Sequence, residues 1–451
     1  MPSPGPFPGR FSRRRFLAGS AGAAAAVAGT AVAGTAAGCA AAADVLGLGR
    51  TVRVAVTWSA EELQAFRAVL DGFGDLPYAI DLVPLGDDIS AAFGPQRPDI
   101  IMLPQPGLVT ENHDKLQPLP DQVSPGWPYA AVWSPVSSYG LPFKMTDKST
   151  VWYRKSVFAE YGLDPPPSWS KWLNLNARLA RAGVAPLAVA AADGWTLTDI
   201  FENVLLGISP QTYEGLVPPN PRARWTDPVV AQAFRLLGRM WAAPGTLAGG
   251  VNRSLVQQFP EAVVEVFGHQ KAAMVISADF AEPVIRRYAI DPGDVGVFPF
   301  PVIDGDDQER AGGSRQPPLV VGGDVAVLLK HAGDTAVDDY AVNLVTRLAN
   351  EEAPLPWITG HGGFLAANLK TPIASYSDLL KPLAEQLARP NVEQPIAFDL
   401  SDRLGALGGS EGLWRVLQDF LVAVGGRGPT AVPDAADIAV RRLNDLALLR
   451  R

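Results

Sequence analysis

The chain has 451 residues, 47% of them hydrophobic and 19% charged, so it can bury a large core and falls outside the disordered class. Its formal net charge is −8, and residues 1–38 hold four Arg and no acid, so the remainder is more acidic still. That balance argues against nucleic acid as a partner and against electrostatic adhesion to anionic lipid. A single cysteine leaves no disulfide within the chain, and four histidines without an HxxxH or HExxH spacing argue against a zinc enzyme.

Residues 1–38 read as an export signal. Ser12-Arg13-Arg14-Arg15-Phe16-Leu17 carries a twin-arginine pair, an Ala/Gly/Val run follows, and Ala36-Ala37-Gly38-Cys39 closes the segment. A lone cysteine after small residues looks like a bacterial lipobox, with Ala36 where Leu is usual. Cys39 is therefore the expected lipid attachment point, and residues 39–50 a flexible tether. Ala and Gly dominate residues 18–38, which makes a permanent transmembrane span a poor reading. The expected location is outside the cytoplasmic membrane, anchored to it by lipid, with length for two or three domains.

Order is expected from Thr51 onward. The alternation of Val52, Val54 and Val56 predicts a strand ending near Trp58. Ser59-Ala60-Glu61-Glu62 reads as a capping box, and Leu63, Phe66, Val69, Leu70 and Phe73 recur at helical spacing. The apolar run 99–103, closed by Pro104, predicts a buried parallel strand, which completes a βαβ start. Pro165-Pro166-Pro167-Ser168 stops one element and caps a helix with Trp169, Trp172, Leu173, Ala177 and Leu179 on one face. Further helices are predicted at 195–206, 228–241 and 255–267, and strands at 295–299 and 325–329. A last apolar stripe, Leu413, Trp414, Leu417, Phe420 and Leu421, is expected to end before Gly425-Gly426. Strands on both sides of a long helical middle suggest two α/β lobes joined by more than one crossing.

Several segments resemble the extracellular solute-binding proteins of ATP-driven sugar importers, the family that includes maltose-binding protein. Tyr139-Gly140-Leu141-Pro142-Phe143 and Val151-Trp152-Tyr153-Arg154-Lys155-Ser156-Val157-Phe158 look like that family's Y-G-x-P crossover and W-Y-N-K-x-x-F turn, with Arg154 in place of Asn. Gly162-Leu163-Asp164-Pro165 with Pro167-Ser168-Trp169 resembles its G-L-D-P-P-x-T-W signature. Asp193-Gly194-Trp195-Thr196, Gly322-Gly323-Asp324 and Gly362-Gly363-Phe364 match stretches of sugar-binding members, and the resemblance spans 51 to about 370. It implies a two-lobe α/β fold of the periplasmic-binding-protein (Venus-flytrap) kind, with discontinuous lobes and a hinge. Lobe 1 would take 51–141 plus 299–348, and lobe 2 would take 144–296 plus 351–451. It further implies a monomeric binding component of an ATP-binding-cassette importer, without cofactor or metal, that passes a di- or oligosaccharide to a membrane permease.

A sugar site needs aromatic platforms for apolar C–H faces and polar groups for the hydroxyl rim. Trp58, past a strand end and before a helix, and Gln105, between two prolines after the second strand, stand where the first lobe would offer them. Lys144, Asp147 and Lys148 follow the first crossover. Trp195, Asp279 and Phe280 are the second-lobe candidates. Gly323 lets backbone approach the ligand and Asp324 accepts from hydroxyls, while Trp357, Gly363 and Phe364, near His361, would close over it. Two other ligands on the same fold are a glycerol phosphodiester, wanting Arg or Lys, and a polyamine, wanting acids near aromatics. The rival of another class is an exported carbohydrate-active hydrolase, although no GxSxG, HExxH or SxxK stands in the mature chain.

Overall fold

The computed structural model describes residues 50–58, 60–85, 89–93, 97–120, 123, 138–218, 221–304, 315–330, 335–389 and 393–449. The expected export signal, Cys39, the expected tether before residue 50 and the expected Ser59 cap lie outside the described residues. In chain order the strands are β1 (Thr51–Val56), β2 (Ala79–Pro84), β3 (Ile100–Leu103), β4 (Leu116–Gln117), β5 (Gly140–Asp147), β6 (Thr150–Arg154), β7 (Leu187–Ala188), β8 (Met274–Ile276), β9 (Val295–Pro299), β10 (Leu319–Leu329), β11 (Leu365–Ala366) and β12 (Ile396–Phe398).

Val52, Val54 and Val56 are fully buried in β1, while Thr51 and Arg53 keep solvent contact, as the alternation requires. The helix Ala60–Asp71 buries Phe66, Val69 and Leu70 and returns the chain to β2 and β3, both parallel to β1. β2 was not expected. It sits at the sheet edge with no residue fully buried, so its apolar alternation is diluted. β10 runs antiparallel to both β3 and β5, giving the larger sheet the order β11-β5-β10-β3-β1-β2, with β4 and β12 also paired to β10. The smaller sheet has the order β7-β8-β6-β9.

The smaller sheet is covered on both faces. Val151, Met274, Ile276 and Phe298 face a core shared with the helices Trp195–Ile208, Pro228–Trp241, Leu413–Arg427 and Val432–Leu449, while Trp152, Val275 and Val295 face the helices Phe259–Phe267 and Ala281–Tyr288. The fold is therefore mixed α/β with two sheets.

The step from one sheet to the other takes only Lys148 and Ser149, and hydrogen bonds fix it from both sides. Lys148 N donates to Val320 O at 2.9 Å, Val320 N donates to Ser149 Oγ at 2.7 Å, and Phe300 N donates to Ser149 O at 2.6 Å. The chain passes back between β9 and β10. Trp357, Phe364, Tyr376, Leu383 and Leu387 pack in the core of the larger sheet, because β11 adds to β5, while Ala397 of β12 and the helices beyond it join the smaller sheet's core.

Three local expectations also change. The predicted 255–267 helix is two helices, Gly250–Val256 and Phe259–Phe267, separated by a capping box in which Gln258 N donates to Glu261 at 3.1 Å. In Trp169–Arg181 the inward face is Trp169, Trp172, Leu175, Asn176 and Leu179; Ala177 is exposed, and Asp304, not Ser168, accepts the Ser170 N–H at 2.8 Å. The last stripe runs through Gly425-Gly426 to Arg427, because a Cβ on Gly425 would lie 2.0 Å from Val251, so glycine there serves close helix contact.

Candidate functional site

Trp58 follows β1, and Glu61 and Glu62 open the helix behind it. Pro104 and Gln105 follow β3. Lys144 and Thr146 lie on β5, and Gly323 and Asp324 lie on β10. Asp324 is the register partner of Lys144, so both side chains leave the same face of the antiparallel pair. From the smaller sheet's side come Trp195 at the start of its helix, Phe259, Pro260, Phe280, Pro283 and Tyr288. Lys148, His361, Gly363, Ser401, Asp402 and Trp414 complete a cleft of about 730 Å³.

The aromatic residues come in two groups. Trp58 is 7% exposed and held edge-on by Phe66 (centroids 4.8 Å apart) and Trp357 (5.0 Å). Trp195, Phe259 and Phe280 form a triad with centroids 5.0 to 5.8 Å apart, all three half-buried. Such mutually locked rings present apolar faces with little rotamer freedom left to lose on binding.

Between them lies a charged floor. Lys144 Nζ donates to Glu62 Oε1 at 3.1 Å and stands 5.2 Å from the Trp357 ring centroid. Burial alone would lower its pKa, but Glu62, Asp324 and Asp279 outweigh that and hold the ammonium above its usual range. Asp324 is pushed up to about 6 by burial, with Lys144 opposing. Lys148 bonds Asp399 and lies 3.5 Å from Asp199 and 3.9 Å from Asp402. Burial again disfavours its charge, and these three carboxylates more than restore it. Glu202 lies behind them, fully buried, accepting from Leu400 N at 2.6 Å and Ser401 N at 2.9 Å. His361 is pushed down, first by burial and then by Lys144 and Arg286, so its ring is neutral at pH 7.

Nine of the thirteen expected contact residues line this cleft: Trp58, Gln105, Lys144, Lys148, Trp195, Phe280, Gly323, Asp324 and Gly363. Four do not. Asp147, at the inward end of β5, is 2% exposed and accepts from Ser149 N at 2.8 Å; burial pushes it up to about 7. Asp279 is fully buried, accepts from Asp147 N at 2.8 Å, and is pushed up to about 8 by burial against the pull of Lys144. These two acids join the two sheets beneath the cleft. Trp357 and Phe364 are both fully buried, packed on each other at 5.1 Å, and support Trp58 from the larger sheet's core.

The lining residues outside the expected set include Glu62, Phe259, Ser401, Asp402 and Trp414. Trp414 looked like core in its apolar stripe. It reaches the cleft because Gly194 has no side chain; a Cβ there would lie 2.7 Å from that of Trp414. Asp402 sits in a short helix whose N-cap Asp399 accepts its N–H at 2.8 Å, which reads locally as capping alone. Among the described residues no group of three His, Cys, Asp or Glu is placed to hold a metal ion, and no helix is long and apolar enough to cross a membrane.

Comparison with known proteins gives this geometry its context. The osmoprotective compounds-binding protein GgtB of Synechocystis sp. is 26% identical over 340 residues, 72% of this chain and 76% of that one. The alpha-glucosides-binding periplasmic protein AglE of Rhizobium meliloti is 31% identical over 163 residues, 31% of this chain and 35% of that one. Among solved structures, maltose-bound T. maritima MalE3 superposes with a TM-score of 0.66 at 17% identity, covering 88% of this chain and 99% of that one. The protein RafE in complex with raffinose superposes at 0.65 and 14%, with the same coverage. These structures share the fold, the two-lobe α/β architecture of periplasmic sugar-binding proteins. A family model described as bacterial extracellular solute-binding protein matches residues 85–353. With more than half of its length under that model, the chain belongs to the bacterial extracellular solute-binding proteins.

Proposed function

We propose that the protein captures a carbohydrate in the cleft between its lobes and delivers it to the permease of an ATP-binding-cassette importer. The observation that carries this reading is the pairing, in one cleft, of Trp58 from the larger sheet's side with Trp195 and Phe280 from the smaller, above a floor of Lys144, Asp324 and Asp402. Aromatic faces suit the C–H faces of a sugar ring, and the polar floor suits its hydroxyl rim. Once closure dries that floor, each hydroxyl missing from a wrong ligand leaves a buried partner unpaired, at about 1–3 kcal/mol. The name of AglE, a binder of alpha-glucosides, agrees in ligand class.

In this proposal one lobe holds β1 to β5 with β10 to β12, the other holds β6 to β9 with the last two helices, and Lys148 and Ser149 act as part of the hinge. The lipid anchor at Cys39 would keep the carrier at the membrane that holds its permease. Calorimetric titration against a panel of mono-, di- and oligosaccharides tests the binding step, with tryptophan fluorescence as a second readout. A binder in the panel should change the emission of Trp58, Trp195 or Trp414. If no carbohydrate binds or raises the melting temperature, the carbohydrate reading fails.

A further inference from the structure

Resting on the carbohydrate reading, we infer that the cleft selects a ligand carrying an ammonium group and bars ligands carrying a carboxylate or phosphate.

The cleft is lined by four acids, Glu61, Glu62, Asp324 and Asp402, and two lysines. Neither lysine is free. Lys144 is held by Glu62 and by the field of Asp324, and Lys148 is shared among Asp399, Asp199 and Asp402. Arg287 is tied to Glu61, and Arg286 donates to His361 O at 3.3 Å; neither is among the lining residues. His361, the remaining basic group, is neutral at pH 7. An anion entering the cleft thus finds no uncommitted cation among the described lining residues and several carboxylates, and burying it there without a partner is costly.

The same count favours a cation. One lysine serves three carboxylates, and Asp402 is the one of the three that lines the cleft, at the longest distance, 3.9 Å. Burial and Asp399 raise Asp402 well above the usual carboxylate range, with Lys148 opposing. A second cation beside it would relieve that repulsion. The aromatic lining supplies the other half of ammonium recognition, since Trp58, Trp195, Trp414, Phe259, Phe280 and Tyr288 all face the cleft and an ammonium is attracted to an aromatic face. Acids beside aromatics are the combination a cationic ligand requires, and the free arginines or lysines a phosphodiester requires are lacking among the described lining residues.

The test is calorimetric titration of the full chain with methyl glucoside, maltose and trehalose, each alongside its 6-amino-6-deoxy and 6-carboxylate forms, with spermidine and glycerol 3-phosphate as further arms. The expected result is at least tenfold tighter binding of an amino sugar than of its neutral parent, and no binding of the carboxylates or the phosphate. Asp402→Asn should lower affinity for the amino sugar at least tenfold more than for its neutral parent, and an unchanged melting temperature separates this charge effect from misfolding. Equal binding of amino and neutral sugars, or binding of any anionic arm, overturns the inference and leaves the carbohydrate reading standing. Binding of spermidine alone supports ammonium selection and overturns the carbohydrate reading. Silence in every arm overturns both.

Discussion

Replacing Lys148 by Met removes one cation from the most charge-dense point of the molecule while keeping its aliphatic stem. The Lys148 side chain is 13% exposed, and those of Asp199 and Asp399 are 4% and 1%. At an effective dielectric of about 20, a unit pair at the 3.5 Å separation of Asp199 is worth about 5 kcal/mol, and one at the 3.9 Å of Asp402 about 4 kcal/mol. Much of this gross attraction offsets the cost of taking the ammonium out of water and the repulsion among the acids. The expected net loss at pH 7.5 is therefore that of breaking a buried ion pair, about 3–5 kcal/mol. Against a total stability of about 5–15 kcal/mol this is severe.

The loss carries a pH signature. In the native protein Lys148 holds Asp399 below the usual carboxylate range against its burial. Without Lys148 the folded variant must protonate that site near neutral pH, whereas the unfolded chain does not. The folded state then binds more protons than the unfolded one, so the variant loses stability relative to the parent as pH rises above about 4, by up to about 1.4 kcal/mol per unit. Urea unfolding followed by tryptophan emission and by circular dichroism at pH 5 and pH 8 measures this. A loss below about 1 kcal/mol, or one equal at the two pH values, would refute the role given to Lys148.

Four further outcomes are expected. Trp195→Ala should weaken sugar binding about 10- to 100-fold with little change in melting temperature, because the ring is half-buried and lies at the cleft; calorimetry and a thermal melt together check this. Trp58→Ala should lower both affinity and stability, the latter by about 3–5 kcal/mol, since its ring is buried against Phe66 and Trp357; a melting temperature like the parent's would contradict that packing. Gly323→Ala should cost about 1–3 kcal/mol and weaken binding, because its Cβ would stand 2.2 Å from Lys144 O and prise β10 from β5. Asp279 gives a stability trend with pH. Its folded pKa of about 8 exceeds the ordinary value of 3.8, so the folded state holds an extra proton between those limits and this group's contribution falls as pH rises through them. Melting from pH 5 to 8.5 should show the decline, and Asp279→Asn should flatten it.

Much of the architecture was legible because local chemistry states it. Val52, Val54 and Val56 alternate, so β1 is written in its side chains, and the 228–241 periodicity is equally local, whereas a crossing near Tyr139 to Phe143 was expected from resemblance alone. β2 escaped notice because an edge strand need not be apolar on either face. Gly425-Gly426 looked like a helix end, when the glycines allow Val251 to approach closely. At the site, Trp58, Gly323 and Asp324 were legible because strand ends and paired glycines mark places where backbone and side chain meet a ligand, while Lys144 was reached only through the resemblance. Asp147 and Asp279 looked identical in sequence to cleft acids, and only burial distinguishes them.

The sequence by itself thus determined the family, the strand and helix grammar, and nine of the residues that face the cleft. The tertiary structure alone decided how the charges are paired. Lys148 and Asp399 are 251 residues apart, and Asp199 and Asp402 come from different helices, so no local pattern could say that three carboxylates share one lysine. Periodicity is imposed by each element's own geometry. Charge neutrality in a cleft depends on which elements the fold brings within about 4 Å, and that distance is set by the packing of the two sheets.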